Sequence, residues 1–255
     1  MRIATLNVLY HPFSRWPERR PLVEAGLREL APDVVGLQEV DRPIDQDRAL
    51  AAALPGLGYR VFRAAETVRP RYPRHWDGVS LLVRQVAGEL LGHDTRRLTW
   101  HRIVQRVTLR LASGRTVACL NTHLHYPSDR TGVVARANEA RAILAWLDAS
   151  APADVVTLAG DLNGPPDEPY FAMLQAAGFR SAYREACGAH AATFPSGLVA
   201  PTVQPGPPIE PIDHILVRGP ARVLGCRLAW DRPSPSDATL YPSDHLGLVA
   251  DLEIA

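Results

Sequence analysis

The chain reads as a mixed α/β sandwich in which helices cover packed sheets. Three observations predict this. Strand-like and helix-like patterns interleave from end to end, with no linker or repeat between them. Strands outnumber helices, and several neighbours look antiparallel, which argues against a pure βαβ chain. A length of 255 residues, 46% of them hydrophobic and 22% charged, suits one domain over 1–255 with a real core.

Ile3 to Val8 reads as the first strand. From Glu18 to Leu30, a helical spacing puts Leu22, Val23, Gly26, Leu27 and Leu30 on one face. Val34 to Gln38 is a short buried strand. Tyr59 to Arg63, Val79 to Arg84, Val104 to Leu111 and Thr116 to Leu124 follow as strands, with Ser113-Gly114 marking a hairpin between the last two. Val133 to Leu147 is the clearest helix, with Val133, Ala137, Ala140, Leu144 and Leu147 in one stripe. Asp154 to Ala159 is a strand whose core, Val155 to Ala159, is a continuous apolar run of the kind buried on both faces. Tyr170 to Ala177 is a short helix stopped by Gly178. Tyr183 to Glu210 is rich in Pro and Gly and reads as an irregular surface loop. Ile212 to Val217, Ala221 to Trp230 and Leu246 to Ile254 complete the strands, the last alternating cleanly.

Composition narrows the function. A formal net charge of +1 does not suggest a uniformly basic nucleic-acid-binding surface, although a local basic groove is compatible with it. All basic residues apart from His are Arg, a usage that reads first as a GC-rich genome and second as phosphate recognition. Cys119, Cys187 and Cys226 are widely spaced and odd in number, so neither a disulfide framework nor a zinc site is expected. The N-terminus opens directly as a strand and no long apolar span follows, so a cytoplasmic location without a membrane span is expected. Nucleophile-elbow, HExxH, Walker A and GxGxxG motifs are missing, against a serine hydrolase or a P-loop enzyme. No feature calls for an obligate protein partner.

The polar residues at strand ends carry the chemistry. Asn7, Glu39, His123 and the pair Asp161 and Asn163 close strands; Asp213 and the Ser243-Asp244-His245 run open them. If the last two strands run antiparallel to the first four, all six polar ends meet on one rim. Glu39 and Asn7 are hard oxygen ligands of the kind Mg²⁺ takes. Carboxylates and imidazoles without Cys disfavour structural zinc. His245 can donate to a phosphate while Asp213 orients it and raises its pKa. Asp161 can align and deprotonate a water, and Asn163 and His123 can hold non-bridging oxygens.

Thr5-Leu6-Asn7, Leu37-Gln38-Glu39-Val40, Asn121-Thr122-His123-Leu124, Gly160-Asp161-Leu162-Asn163, Ile212-Asp213-His214-Ile215 and Ser243-Asp244-His245 occur in this order across nearly the whole chain. Together they resemble the motifs of the endonuclease/exonuclease/phosphatase superfamily, the DNase I-like fold. The resemblance implies a four-layer α/β/β/α sandwich and phosphoester hydrolysis dependent on Mg²⁺ or Mn²⁺. It implies Glu39 as the chief metal ligand beside Asn7, with Asp244 near the metal or leaving group. Asp161 and Asn163 would serve nucleophile and phosphate, Asp213 and His245 would form the acid–imidazole pair, and His123 would contact phosphate. The general base is either Asp161 or His245. The family's apurinic-site endonucleases carry Asp two residues after the first Asn, where this chain has Leu9, which weakens the case for DNA repair.

The leading expectation is a metal-dependent phosphoester hydrolase acting on a small molecule, as phosphatase or phosphodiesterase. A nuclease and a catalytically idle binding module on the same fold are the alternatives. Arg69, Arg71, Arg74, His75, Trp76 and Asp77 precede Val79 and admit two readings, a substrate wall or an ordinary polar loop. Arg102, Arg106, Arg130 and Arg136 are read as solvated faces before phosphate contacts. The prolines at 201, 205, 207 and 208 suit either a lid or a stiff connection.

Overall fold

Hydrophobic alternation explains the architecture directly. In the strand Val155–Asp161 (β8), Val155 and Ala159 enter one apolar cluster while Val156 and Leu158 enter another. A strand must lie between two cores for that to happen. The computed structural model describes residues 1–10, 14–65, 78–99, 101–126, 129–203 and 205–255. The Arg69–Asp77 segment therefore lies outside the described residues.

The elements before β8 are β1 (Arg2–Asn7), α1 (Trp16–Leu30), β2 (Val34–Gln38), α2 (Gln46–Ala52), β3 (Tyr59–Ala65), β4 (Gly78–Arg84), β5 (Glu89–Arg97), β6 (Ile103–Arg110), β7 (Thr116–His123) and α3 (Arg130–Asp148). After it come α4 (Pro169–Ala176), β9 (Arg180–Ser181), α5 (Ala182–Cys187), β10 (Asp213–Arg218), β11 (Arg222–Ala229) and β12 (Gly247–Glu253). Among the described residues, two six-stranded sheets form, ordered β11-β12-β1-β2-β4-β3 and β5-β6-β7-β8-β10-β9.

The inner core fills the space between the sheets. Ile3, Val34, Leu81 and Leu248 come from the first sheet; Val107, Val117, Val155 and Ile215 come from the second. Val23, Leu27 and Leu30 of α1 cover the outer face of the first sheet against Ala4, Val35 and Val249. Ala140, Ile143 and Leu147 of α3, with Phe171 and Leu174 of α4, cover the second against Leu120, Leu158 and Leu216. The order is helix, sheet, sheet, helix, as expected from the sequence. No helix among the described residues is long and apolar enough to cross a membrane.

Four elements depart from the sequence reading. The 183–210 region is not irregular throughout, because α5 occupies its start, capped by Ser181, whose hydroxyl accepts from the Arg184 N–H. β5 was hidden by its polarity: it is an edge strand carrying Glu89, Asp94, Arg96 and Arg97 on a largely exposed surface. β9 is a two-residue edge strand beside β10. α2 buries Gln46 and Asp47, and Asp47 takes hydrogen bonds from Arg42, Arg63 and Ser80. A buried carboxylate of this kind is tolerable only with such partners.

Candidate active site

Strand direction decides where the polar ends go. β1 pairs parallel with β2, so Asn7 and Glu39 leave the first sheet at one end; β7 pairs parallel with β8, so His123 and Asp161 leave the second sheet at one end, and the Asn7–Asp161 bond brings these two ends together. β12 runs antiparallel to β1 and β10 antiparallel to β8, so the starts of β10 and β12 reach that same end. Register completes the convergence: Asp161 lies opposite His123 on one side and Asp213 on the other. The rim anticipated from the strand ends is thus built by topology.

Side chains then join the two sheets. The Asn7 Nδ2–H donates to Asp161 Oδ2 at 3.0 Å, while Asn7 Oδ1 accepts from the Leu9 N–H. Asp161 Oδ1 accepts from the Asn163 N–H at 3.0 Å, and the Asn163 amide donates to the Leu124 carbonyl. His245 Nδ1 lies 2.8 Å from Asp213 Oδ2, and its Nε2 lies 3.7 Å from Asp161 Oδ2. His123 Nε2 is 3.5 Å from that same Asp161 oxygen. The Ser243 hydroxyl donates to the Asn7 carbonyl at 2.5 Å and so fixes the approach of the Asp244-His245 segment. Phe194 packs its ring 4.7 Å from the His245 ring.

These groups line a cleft of about 370 Å³ that contains Glu39, His123, Asp161, Asn163, Asp244 and His245. Asn7 and Asp213 lie buried beneath it, linked to Asp161 and His245 by the hydrogen bonds above. Glu39, Asn163 and Leu9 all hold left-handed backbone, with φ near 53°, 54° and 55°. Non-glycine residues avoid this region, which Arg15, Ala31, Asp45 and Trp230 hold elsewhere in the fold.

Electrostatics follow from burial. Desolvation raises the Asp161 carboxyl to about 6; His245 opposes this, Asp213 reinforces it, and the bonds from Asn7 and Asn163 oppose it. Burial alone would lower the His245 imidazole, but Asp213, Asp161 and Asp244 together carry it well above its ordinary value. The imidazole is therefore a cation held between two carboxylates.

Asp161, Asp213 and His245 offer ligand atoms within 4.8 Å of one another. Asp213 Oδ1 is buried with no hydrogen-bond partner among the described residues, an acceptor open to a donor or cation. Beside the His245 imidazolium, the donors at this end are carboxylate and amide oxygens, a set that suits a hard divalent cation.

Sequence reasoning missed the supporting shell. Arg136 and Arg102, read first as solvated faces, are buried in the cleft wall at 0% and 1% exposure. Arg136 clamps Glu168 with two parallel bonds of 2.8 and 2.6 Å and donates to the His125 carbonyl, which secures the segment after Asn163. Tyr10, Phe194 and Glu210 also line the wall. His214 is buried beside Phe171 and His190, and burial lowers its pKa to about 4.

A family model described as "Endonuclease/Exonuclease/phosphatase family" matches residues 4–245. The chain belongs to the endonuclease/exonuclease/phosphatase family. Like other members, it is a divalent-metal-dependent phosphoester hydrolase. Solved structures share the fold across the chain. An endonuclease/exonuclease/phosphatase from Bacteroides vulgatus superposes with a TM-score of 0.78 at 23% identity, covering 100% of this chain and 98% of that one. The human Nocturnin catalytic domain with bound sulfate gives 0.77 at 24%, covering 100% and 94%. Zebrafish (D. rerio) TDP2 complexed with a single-strand DNA product gives 0.77 at 17%, covering 100% and 99%. A search of curated proteins finds no match.

Proposed function

We propose that this family member hydrolyses a small phosphate ester with Mg²⁺ or Mn²⁺ at the strand-end rim. The observation that supports it most is the Asn7–Asp161–His245–Asp213 chain, in which a buried carboxylate is aligned by an amide and faces an imidazolium. Glu39, Asn7 and Asp244 would hold the ion, which when bound supplies charge stabilisation at a phosphoryl oxygen. Asp161 aligns an attacking water and draws its proton, with Asn7 and Asn163 fixing the carboxylate. His245, held by Asp213, donates to a non-bridging oxygen as charge builds there, and His123 adds a second imidazole on the same side.

Cleft size favours a small substrate. About 370 Å³ lies at the lower end of small-ligand sites, which run from roughly 300 to 1,000 Å³. The cleft wall also carries Glu168 and Glu210, and Arg136 is already clamped to Glu168, so a free basic track for a polyanion is not provided by those groups. Turnover of sugar, nucleotide and head-group phosphoesters should be compared with plasmid nicking and with single-stranded DNA and RNA, all in Mg²⁺. The expected result is at least about a hundredfold preference in kcat/KM for one small ester class, a difference of about 3 kcal/mol in transition-state binding. Faster cleavage of nucleic acid, falling steeply with salt, would overturn the small-substrate reading in favour of a nuclease.

A further inference from the structure

Arg19 is fully buried at the start of α1, yet the partners of its guanidinium are uncharged. Nε donates to the Ser14 carbonyl, Nη1 to the carbonyls of Val8 at 3.0 Å and Pro242 at 2.8 Å, and Nη2 to the Leu9 carbonyl at 3.1 Å and the Ser14 hydroxyl at 2.7 Å. Five N–H donors therefore meet five acceptors. Trp16 covers the group, with its ring centroid 5.4 Å from the guanidinium carbon. Burying a cation without a bonded carboxylate is costly, and a structural arginine would ordinarily take one. The carboxylates whose charges act on Arg19 are Asp244 and Glu39, both in the cleft.

The acceptors are not scattered. Val8 and Leu9 directly follow Asn7, and Pro242 directly precedes Ser243-Asp244-His245. Leu9 also holds left-handed backbone and donates its N–H to Asn7 Oδ1. One planar fork thus ties the exit of β1 to the entry of β12, 223 residues away from Arg19 at Pro242. The same two segments are joined on the cleft side by the Ser243–Asn7 bond.

We infer that Arg19 is a positioning residue for the metal centre, bracing from behind the two segments that carry Asn7 and Asp244. The inference rests on reading Glu39, Asn7 and Asp244 as ligands. Lysine cannot replace it, because a point ammonium lacks the five-donor fork.

Mn²⁺ binding to the whole protein, followed by electron paramagnetic resonance without substrate, tests this. Outer residues that orient metal ligands typically contribute 10- to 100-fold in affinity, so Arg19→Lys should raise the Mn²⁺ dissociation constant at least about tenfold. At saturating Mn²⁺, kcat should recover most of the wild-type value, because Arg19 touches no reacting atom. Leu27→Ala, a core truncation on the same helix, should melt lower while binding Mn²⁺ as wild type does. Should Arg19→Lys not fold, Ser14→Ala removes one acceptor and should weaken Mn²⁺ by about two- to fivefold, as expected for one lost hydrogen bond. Unchanged Mn²⁺ affinity in Arg19→Lys (or in Ser14→Ala if that variant has to serve), or equal weakening in Leu27→Ala, overturns the assignment of Arg19. Failure of the wild type itself to bind Mn²⁺ overturns the metal-centre reading as well.

Discussion

Asp161→Asn should lower kcat/KM by about 10³-fold or more while leaving the protein folded, the upper range for loss of a positioned base. The substitution keeps the shape and removes the charge. Asn7 and Asn163 now donate to Asp161, and His245 Nε2 faces it at 3.7 Å. An amide offers one oxygen and one NH₂, so one of these donors must face another donor. The water would lose its acceptor and His245 one of its two counter-charges.

Stability should change far less. The folded-state pKa of Asp161 is raised to about 6 by burial, above its unfolded value. A raised carboxyl contributes stability below its unfolded pKa and loses it as pH climbs through the folded value, so between about pH 4 and 6 ionisation of Asp161 works against folding. In metal-free buffer at pH 7, Asp161→Asn relieves that penalty but sets its own NH₂ against the donor from Asn7 or Asn163, so its melting temperature should stay within a few degrees of wild type. A large activity loss with little loss of stability identifies a residue retained for chemistry. Steady-state kinetics and thermal melting of the same preparation check both parts. Near-wild-type kcat/KM would remove Asp161 from the reaction.

Gly160→Ala carries the largest structural effect. Gly160 sits at φ 143°, opposite Thr122 in the β7–β8 ladder. A Cβ there would lie 2.0 Å from the Thr122 carbonyl oxygen, and that oxygen is backbone in the centre of a sheet. The strand cannot yield without pulling Asp161 away from Asn7. The expected cost is about 4 kcal/mol or more, in the range reserved for severe single substitutions. Gly114→Ala provides the contrast. Gly114 also has positive φ, at 86°, but open space surrounds its Cβ position, and about 1 kcal/mol is expected for the backbone alone. Urea unfolding of the two variants separates contact from conformation. Equal losses would show that the Thr122 contact is unimportant.

The same residues show what a sequence reveals and what it hides. The strand ends were legible because a polar residue terminating an apolar run is a local pattern, and parallel pairing then sends Asn7 with Glu39, and His123 with Asp161, to a shared end of each sheet. Val155 to Ala159 was legible because burial on both faces leaves a continuous apolar run. Arg19, Arg102 and Arg136 were not, because what buries an arginine is a set of acceptors far along the chain, as Pro242 is for Arg19. Asp47 was hidden for the same reason, its burial depending on Arg63 and Ser80. β5 was overlooked because an exposed edge strand has no apolar face to display. The glycine before Asp161 was visible as a residue, but its necessity comes from a carbonyl on the neighbouring strand.

Metal dependence at Glu39 is the most direct test of the rim as the seat of phosphoester hydrolysis. Wild type and Glu39→Gln should be stripped with EDTA and titrated with Mg²⁺ against the best substrate of the ester panel. Wild type should lose its activity and regain it with Mg²⁺. Glu39→Gln should stay at least about a hundredfold below it even in excess Mg²⁺, the loss of a charged ligand exceeding about 3 kcal/mol. Full activity in EDTA, or a Glu39→Gln variant that responds to Mg²⁺ as wild type does, would contradict it.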